Sequence, residues 1–243
     1  MRSRAQSHAR GDAENRWSAA MLECVPREPP KGELTMATTA TAAATAVSDP
    51  AASLRTNMRK LWADHVFWTR QYIVSFASDL GDVGAAAGRL LKNQEHIGNA
   101  IVPFYGQQAG AALTDLLKQH IMIAVDLLNA AKAGDNPKFQ QEDAKWTSNA
   151  NEIAGLLSSA NPNWPKQDVV DLLALHLKLT KDEAVARLTG KWDDDVTAFD
   201  DIFTEINTVA DTLSNGIIKQ FPDKFPNGAR KSGFFGRMFG GGR

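Results

Sequence analysis

Three histidines sit in the same local setting: His65 in "LWADHVFWTR" (61–70), His120 in "LLKQHIMIAV" (116–125) and His176 in "LLALHLKLTK" (172–181). Each has Leu four residues before it, a large apolar residue three before, and Val, Ile or Leu directly after. A large apolar residue follows at three and Thr or Ala at four. Positions three and four apart share one helix face, so each imidazole points where the apolar side chains point. A neutral imidazole is the commonest metal ligand, and three with an open fourth position would activate a bound water at neutral pH. The register thus predicts a mononuclear site of His65, His120 and His176 for one transition-metal ion, zinc or iron. Glu152 and Asp211, polar positions within apolar helix stretches, are the candidate carboxylates that would complete or orient it. Asn149 is a candidate hydrogen-bonding support, and His96, which aligns with Glu152, joins the set.

Two other readings stand beside this one. A lone histidine on an apolar face is ordinarily a core side chain hydrogen-bonded to a carbonyl or carboxylate, which would make the chain a metal-free interaction or scaffold protein. Trp62, Trp68, Trp146, Trp164 and Trp192 would ordinarily be core anchors. They could equally line an interhelical pocket for a small molecule or cofactor. Arg70 has the same two faces, holding an anionic ligand or pairing with a carboxylate.

Familiar catalytic signatures are missing from the sequence. There is no HExxH, no Glu-x-x-His pair of the di-iron bundles, and no glycine-rich loop after a strand pattern. "GKWDDD" (190–195) lacks the alternating ligands of a calcium loop and reads instead as a helix start with acids at the dipole's positive end. No serine sits in a recognisable nucleophile motif.

The elements that must carry these residues are helices. From Leu54 to Phe221 apolar residues recur every three or four positions, without the alternation of strands. Breakers at Gly81, Pro103 with Gly106, Gly134 with Pro137, "NPNWP" (161–165) and Gly190 divide the run. The spacing predicts helices over 54–79, 84–102, 108–133, 138–159, 166–188 and 193–219, with a fresh cap at "TKDEA" near Thr180 as a further break. Short connectors make consecutive helices antiparallel, hence an all-α antiparallel bundle of about six helices. The histidines are 55 and 56 residues apart, which implies three pseudo-repeated helical hairpins. "NQEHIGNAI" (93–101), "NANEIAGLL" (149–157) and "EINTVADTL" (205–213) align less cleanly as the second helices. Stacked as a solenoid, the hairpins would hold the histidines apart; wrapped round one axis, they would bring them together.

The ends differ from this core. Residues 1–53, through "REPPKGE" and an Ala/Thr run, offer too little large apolar surface to offset the entropy of ordering, and are expected to be a disordered extension. Residues 1–35 can also be read as lying upstream of a true start at Met36. The segment 222–243 is basic and rich in Gly and Phe. It reads as a solvated tail or as a weak contact to a partner or anionic surface. A formal net charge of −1 removes any overall electrostatic case for nucleic acid. The lone cysteine, Cys24, excludes an intrachain disulfide framework and suits a cytoplasmic location. No stretch has the roughly 18 apolar residues of a membrane span. Oligomeric state is not encoded in any of these features.

"HVFWTR", "PFYG", "NANEIA", "NPNW", "HLKLTKDEAVARL" and "GIIKQFP" together resemble a family of small uncharacterised prokaryotic all-helical proteins, over about Leu54–Phe225. The resemblance implies one compact all-α domain and no particular reaction. Members have often carried the name glycosyltransferase, which does not suit a chain without an α/β pattern. In architecture alone, the chain is similar to bundle enzymes whose three histidines hold a metal for thiol transfer. Those carry paired histidines one turn apart, and this chain does not.

Overall fold

Residues 49–226 are described by the computed structural model. The expected extension and the start at Met36 lie outside the described residues, apart from 49–53, and so does the tail from residue 227. The described chain is all-α, with five long helices: α1 (Pro50–Ala77), α2 (Val83–Ala133), α3 (Asn136–Ala160), α4 (Lys166–Leu188) and α5 (Trp192–Gln220). A short 3-10 turn, Pro222–Lys224, follows.

Helix boundaries follow local chemistry. Asp49 caps α1 by accepting from the Ala51 amide at 3.0 Å, with Pro50 at the first position, so the helix starts four residues before Leu54. Asp135 caps α3 through the Lys138 amide at 3.0 Å, and Gly134, at φ 69°, closes α2 in the left-handed region. Asp193, Asp194 and Asp195 occupy the first turn of α5. No break occurs at Thr180, whose hydroxyl donates back to the His176 carbonyl at 2.9 Å within a continuous α4.

Within 83–133 the backbone leaves helical geometry at Gly106 (φ 83°, ψ 169°), so α2 consists of two helical arms joined at the breaker that Pro103 and Gly106 mark. The arms on either side touch: a Cβ on Gly98 would fall 2.6 Å from the Gly110 carbonyl oxygen. Consecutive helices pack as neighbours, and α1 also packs along α5, closing the ring. The helices therefore wrap a common axis, and the solenoid arrangement is ruled out for the described residues. Met58, Trp62, Ile97, Ile153, Ile206 and Ile217 form part of the core. Phe225 is buried against Phe104, ring centroids 5.9 Å apart, so the ordered core extends past Pro222. No helix of the described residues is long and apolar enough to cross a membrane.

Candidate functional site

The wrapped arrangement brings His65 (α1), His120 (second arm of α2) and His176 (α4) to the middle of the bundle, each at most 5% exposed. Ring centroids are 5.5 Å apart for His65 and His176, and 6.4 Å for His120 and His176. Every hydrogen bond these rings make to protein runs through Nδ1, to a polar residue 29 positions later. His65 meets Gln94 at 3.2 Å, His120 meets Asn149 at 2.9 Å and His176 meets Glu205 at 3.0 Å.

Those partners assign the tautomers. The Gln94 amide nitrogen donates to the Leu90 carbonyl at 2.9 Å, and Asn93 Oδ1 and His65 Nδ1, both at 3.2 Å, share its second hydrogen. Facing that NH2, Nδ1 of His65 is an acceptor, which places the ring proton on Nε2. Asn149 donates to the Leu116 carbonyl at 3.1 Å, which turns its Oδ1 toward His120. His120 thus donates from Nδ1 and leaves a lone pair on Nε2. His176 likewise donates Nδ1–H to the Glu205 carboxylate. Asn93 donates to the Leu61 carbonyl at 3.0 Å, so in α2 two residues divide what Asn149 does alone. Burial, with the neighbouring His176 adding to it, holds His120 down at about 3 and His65 well below its ordinary value; His120 adds to the effect on His65. The bonds to Gln94 and Asn149 push back only partly.

This geometry corrects the expectation of a zinc or iron site. Among the described residues no group of three or more His, Cys, Asp or Glu side chains is disposed to hold a metal ion. Metal–nitrogen bonds of about 2.0–2.1 Å need ring edges aimed at one point. His120 and His176 instead lie nearly parallel, 28° between planes, and His65 has one nitrogen accepting a bond and the other protonated. The proposed carboxylates are elsewhere: Glu152 is exposed on α3, and Asp211 pairs with Arg59 through bonds of 2.7 and 2.5 Å near the surface. His96 is exposed as well.

The rings line a cavity. Its volume is about 30 Å³, room for one or two waters. Leu90, Ile121, Leu127 and Leu128 make much of its wall apolar, and Trp146 and Tyr72 add aromatic surface. Trp146 lies 5.0 Å from His120 and is 2% exposed, and its indole N–H has no partner in the described residues. Half-buried Thr69, Ala124, Val125 and Lys181 mark the approach to solvent. The Lys181 ammonium is held by Asp143 at 2.7 Å, which neutralises the one cation in the wall.

Beyond the cavity, Arg70 pairs with carboxylates. It reaches Glu183 at 2.6 Å and Asp195 at 2.8 Å, while Arg187 meets Asp195 at 3.2 Å. Both acids are 1% exposed. Burial outweighs the attraction of the shared Arg70 and raises the Glu183 carboxyl to about 7, with the Asp195 charge adding to the effect. Among the tryptophans, Trp62, Trp146 and Trp164 are buried anchors, whereas Trp192 is exposed beneath Arg187.

Gln94 and Glu205 are the residues that motif reading passed over; the signal for them is a hydrogen-bonding side chain 29 residues after each histidine. No protein-family model, curated protein or solved structure matches the chain.

Proposed function

We propose that this protein is a metal-free helical bundle that binds a small molecule in the cavity among His65, His120 and His176. One observation carries the reading: three buried imidazoles, each tied at Nδ1, line one small, almost wholly apolar cavity. A core built only for stability would fill such space with carbon, because voids and half-satisfied polar groups both destabilise. The matching 29-residue pairings support three pseudo-repeated hairpins, each contributing one ring. The single cysteine and the family resemblance agree with a compact cytoplasmic carrier.

The test is ligand-observed NMR and thermal shift on the full chain against small apolar and amphipathic compounds, with Ala124→Leu as a cavity-filling control. Binders that raise the melting temperature of the wild type and are lost in the control support a carrier. A second reading, an interaction or scaffold protein, rests on exposed Phe67, Val196 and Phe203 of α1 and α5. Failure of every compound to bind would favour it.

A further inference from the structure

Exposed apolar side chains cluster on one face of the bundle, away from the cavity. Met122, Leu175 and Val185 are exposed singly on other helices, which needs no explanation. Along the seam of α1 and α5 the pattern differs. Arg55 bonds Asn215 at 2.9 Å, Arg59 bonds Asp211 at 2.7 Å, and the Arg70 guanidinium lies 4.7 Å from the centre of the Phe199 ring. These contacts fix an antiparallel register that sets Phe67 opposite Phe203. Both are exposed, at 54% and 45%, as is Val196 at 53%. Phe199 joins them, its ring 6.3 Å from that of Phe203.

The same face carries charge. Asp193, Val196, Asp200 and Phe203 follow one another at spacings of three and four, so two carboxylates interleave with the apolar stripe. Asp193 and Asp200 are exposed, and so are Asp194 and Asp201 beside them. Asp195 is the only acid of 193–201 in an ion pair among the described residues. An apolar stripe edged by unpaired acids selects a basic segment with large apolar side chains. It disfavours a second copy of itself, because a two-fold contact sets the patch against the same patch and acid against acid. The same repulsion turns away an anionic surface.

We infer that this stripe is the docking site of the chain's own C-terminal segment, residues 230–239. That segment lies outside the described residues. Its sequence, "RKSGFFGRMF", has three cations, three phenylalanines, a methionine and no acid, which complements the stripe in both charge and apolarity. The reach is sufficient. Phe225 is held against Phe104 where the chain leaves α5. Phe203 lies 17 residues before Gln220 along α5, about 25 Å at the helical rise. Phe235 lies ten residues beyond Phe225, and an extended chain of that length spans up to about 33 Å. Tethering through a short linker supplies an effective concentration of about millimolar, so a contact too weak to form between separate molecules is populated within one chain.

The experiment attaches a nitroxide at Gly240→Cys in the full chain carrying Cys24→Ser, and compares amide signal intensities with those of the reduced label. The expected result, in dilute protein, is a selective loss of signal over 64–70 and 196–203. Replacing Phe67 and Phe203, both exposed, by Ser should restore those signals while leaving the rest of the spectrum in place. Salt at about 1 M should weaken the effect by screening the acids. Signal loss spread evenly over the molecule, or confined to another face, would overturn the inference. So would a loss that persists in the Phe67→Ser, Phe203→Ser variant. Loss appearing on 15N-labelled chains mixed with nitroxide-bearing unlabelled ones would overturn docking within one chain and assign the segment to a second copy.

Discussion

His120 donates from Nδ1 to the Asn149 side-chain oxygen at 2.9 Å, and the same amide is held by the Leu116 carbonyl. That pairing makes Nε2 of His120 the lone-pair nitrogen. The Gln94–His65 pair does the reverse. At pH 7 the 15N spectrum should therefore show opposite tautomers for two histidines of the same core. Finding both rings in one tautomer would show that the Gln94 and Asn149 amides do not set them.

Substituting Asn149 tests the energetic side. Asn149→Leu leaves the His120 Nδ1–H without its partner in a buried setting and removes the second bond of the Leu116 carbonyl. A loss of about 1–3 kcal/mol per stranded group is the usual scale. Urea unfolding should show that loss with an unchanged m-value, and a neutral effect would mean that water replaces the amide.

Acid should unfold the protein through the same rings. Burial holds His120 at about 3 and His65 well below the 6.5 of the unfolded chain. Below pH 6.5 the unfolded state takes up protons that the fold refuses, so stability falls as pH falls. Each histidine contributes a slope of about 1.4 kcal/mol per pH unit, which for His120 persists down to about pH 3. Urea midpoints between pH 7 and 4 should decline, and His120→Gln should decline less steeply. Parallel curves for the two proteins would show that His120 titrates normally in the fold.

Much of the architecture was legible in the chain because apolar spacing and caps are local. Gly134 marks the end of α2 by chemistry contained within a turn, whereas the caps at Asp49 and Asp135, which start α1 and α3 ahead of their apolar spacing, were not read from it. The breaker at Pro103 and Gly106 was legible, but the close contact of the two arms was not, since that depends on Gly98 and Gly110 meeting without side chains. The shared register of the histidines correctly pointed to one interior location. It could not distinguish a metal ligand from a hydrogen-bonded ring, because that turns on whether the residue 29 positions on is Gln94, Asn149 or Glu205. Asp211 looked like an inward carboxylate until packing put Arg59 beside it.

The charge cluster around Arg70 makes a prediction of opposite sign. Glu183, raised to about 7, is protonated in the fold where the unfolded chain, at 4.5, is ionised. Its contribution to stability therefore falls as pH rises from about 4.5 to 7, against the trend from the histidines. Glu183→Gln should be relatively more stable at pH 8 than at pH 5, measured as the difference in urea midpoint from wild type. A constant difference across that range would place the Glu183 carboxyl at an ordinary value. Arg70→Ala should instead destabilise the fold, because it removes the partner of Glu183 and leaves Asp195 with Arg187 alone. Arg59, exposed and paired with Asp211, should have little effect when replaced by Ala.

The last prediction concerns the joint between α3 and α4. Trp164, 1% exposed, lies over Gly216 of α5 and donates its indole N–H to the Thr212 carbonyl at 3.3 Å. A Cβ at residue 216 would overlap the indole Nε1 and fall 2.6 Å from Cδ1. Tyr105 packs against the indole, ring centroids 5.7 Å apart. Gly216→Ala gains helix propensity of about 1 kcal/mol but meets an overpacking cost of about 1–3 kcal/mol. The net effect should be a lowered melting temperature, accompanied by a change in indole fluorescence as Trp164 is displaced. Gly155→Ala, at a helical glycine with nothing within 4 Å of the new Cβ, should raise the melting temperature. Equal behaviour of the two variants would show that the contact between Trp164 and Gly216 carries no strain.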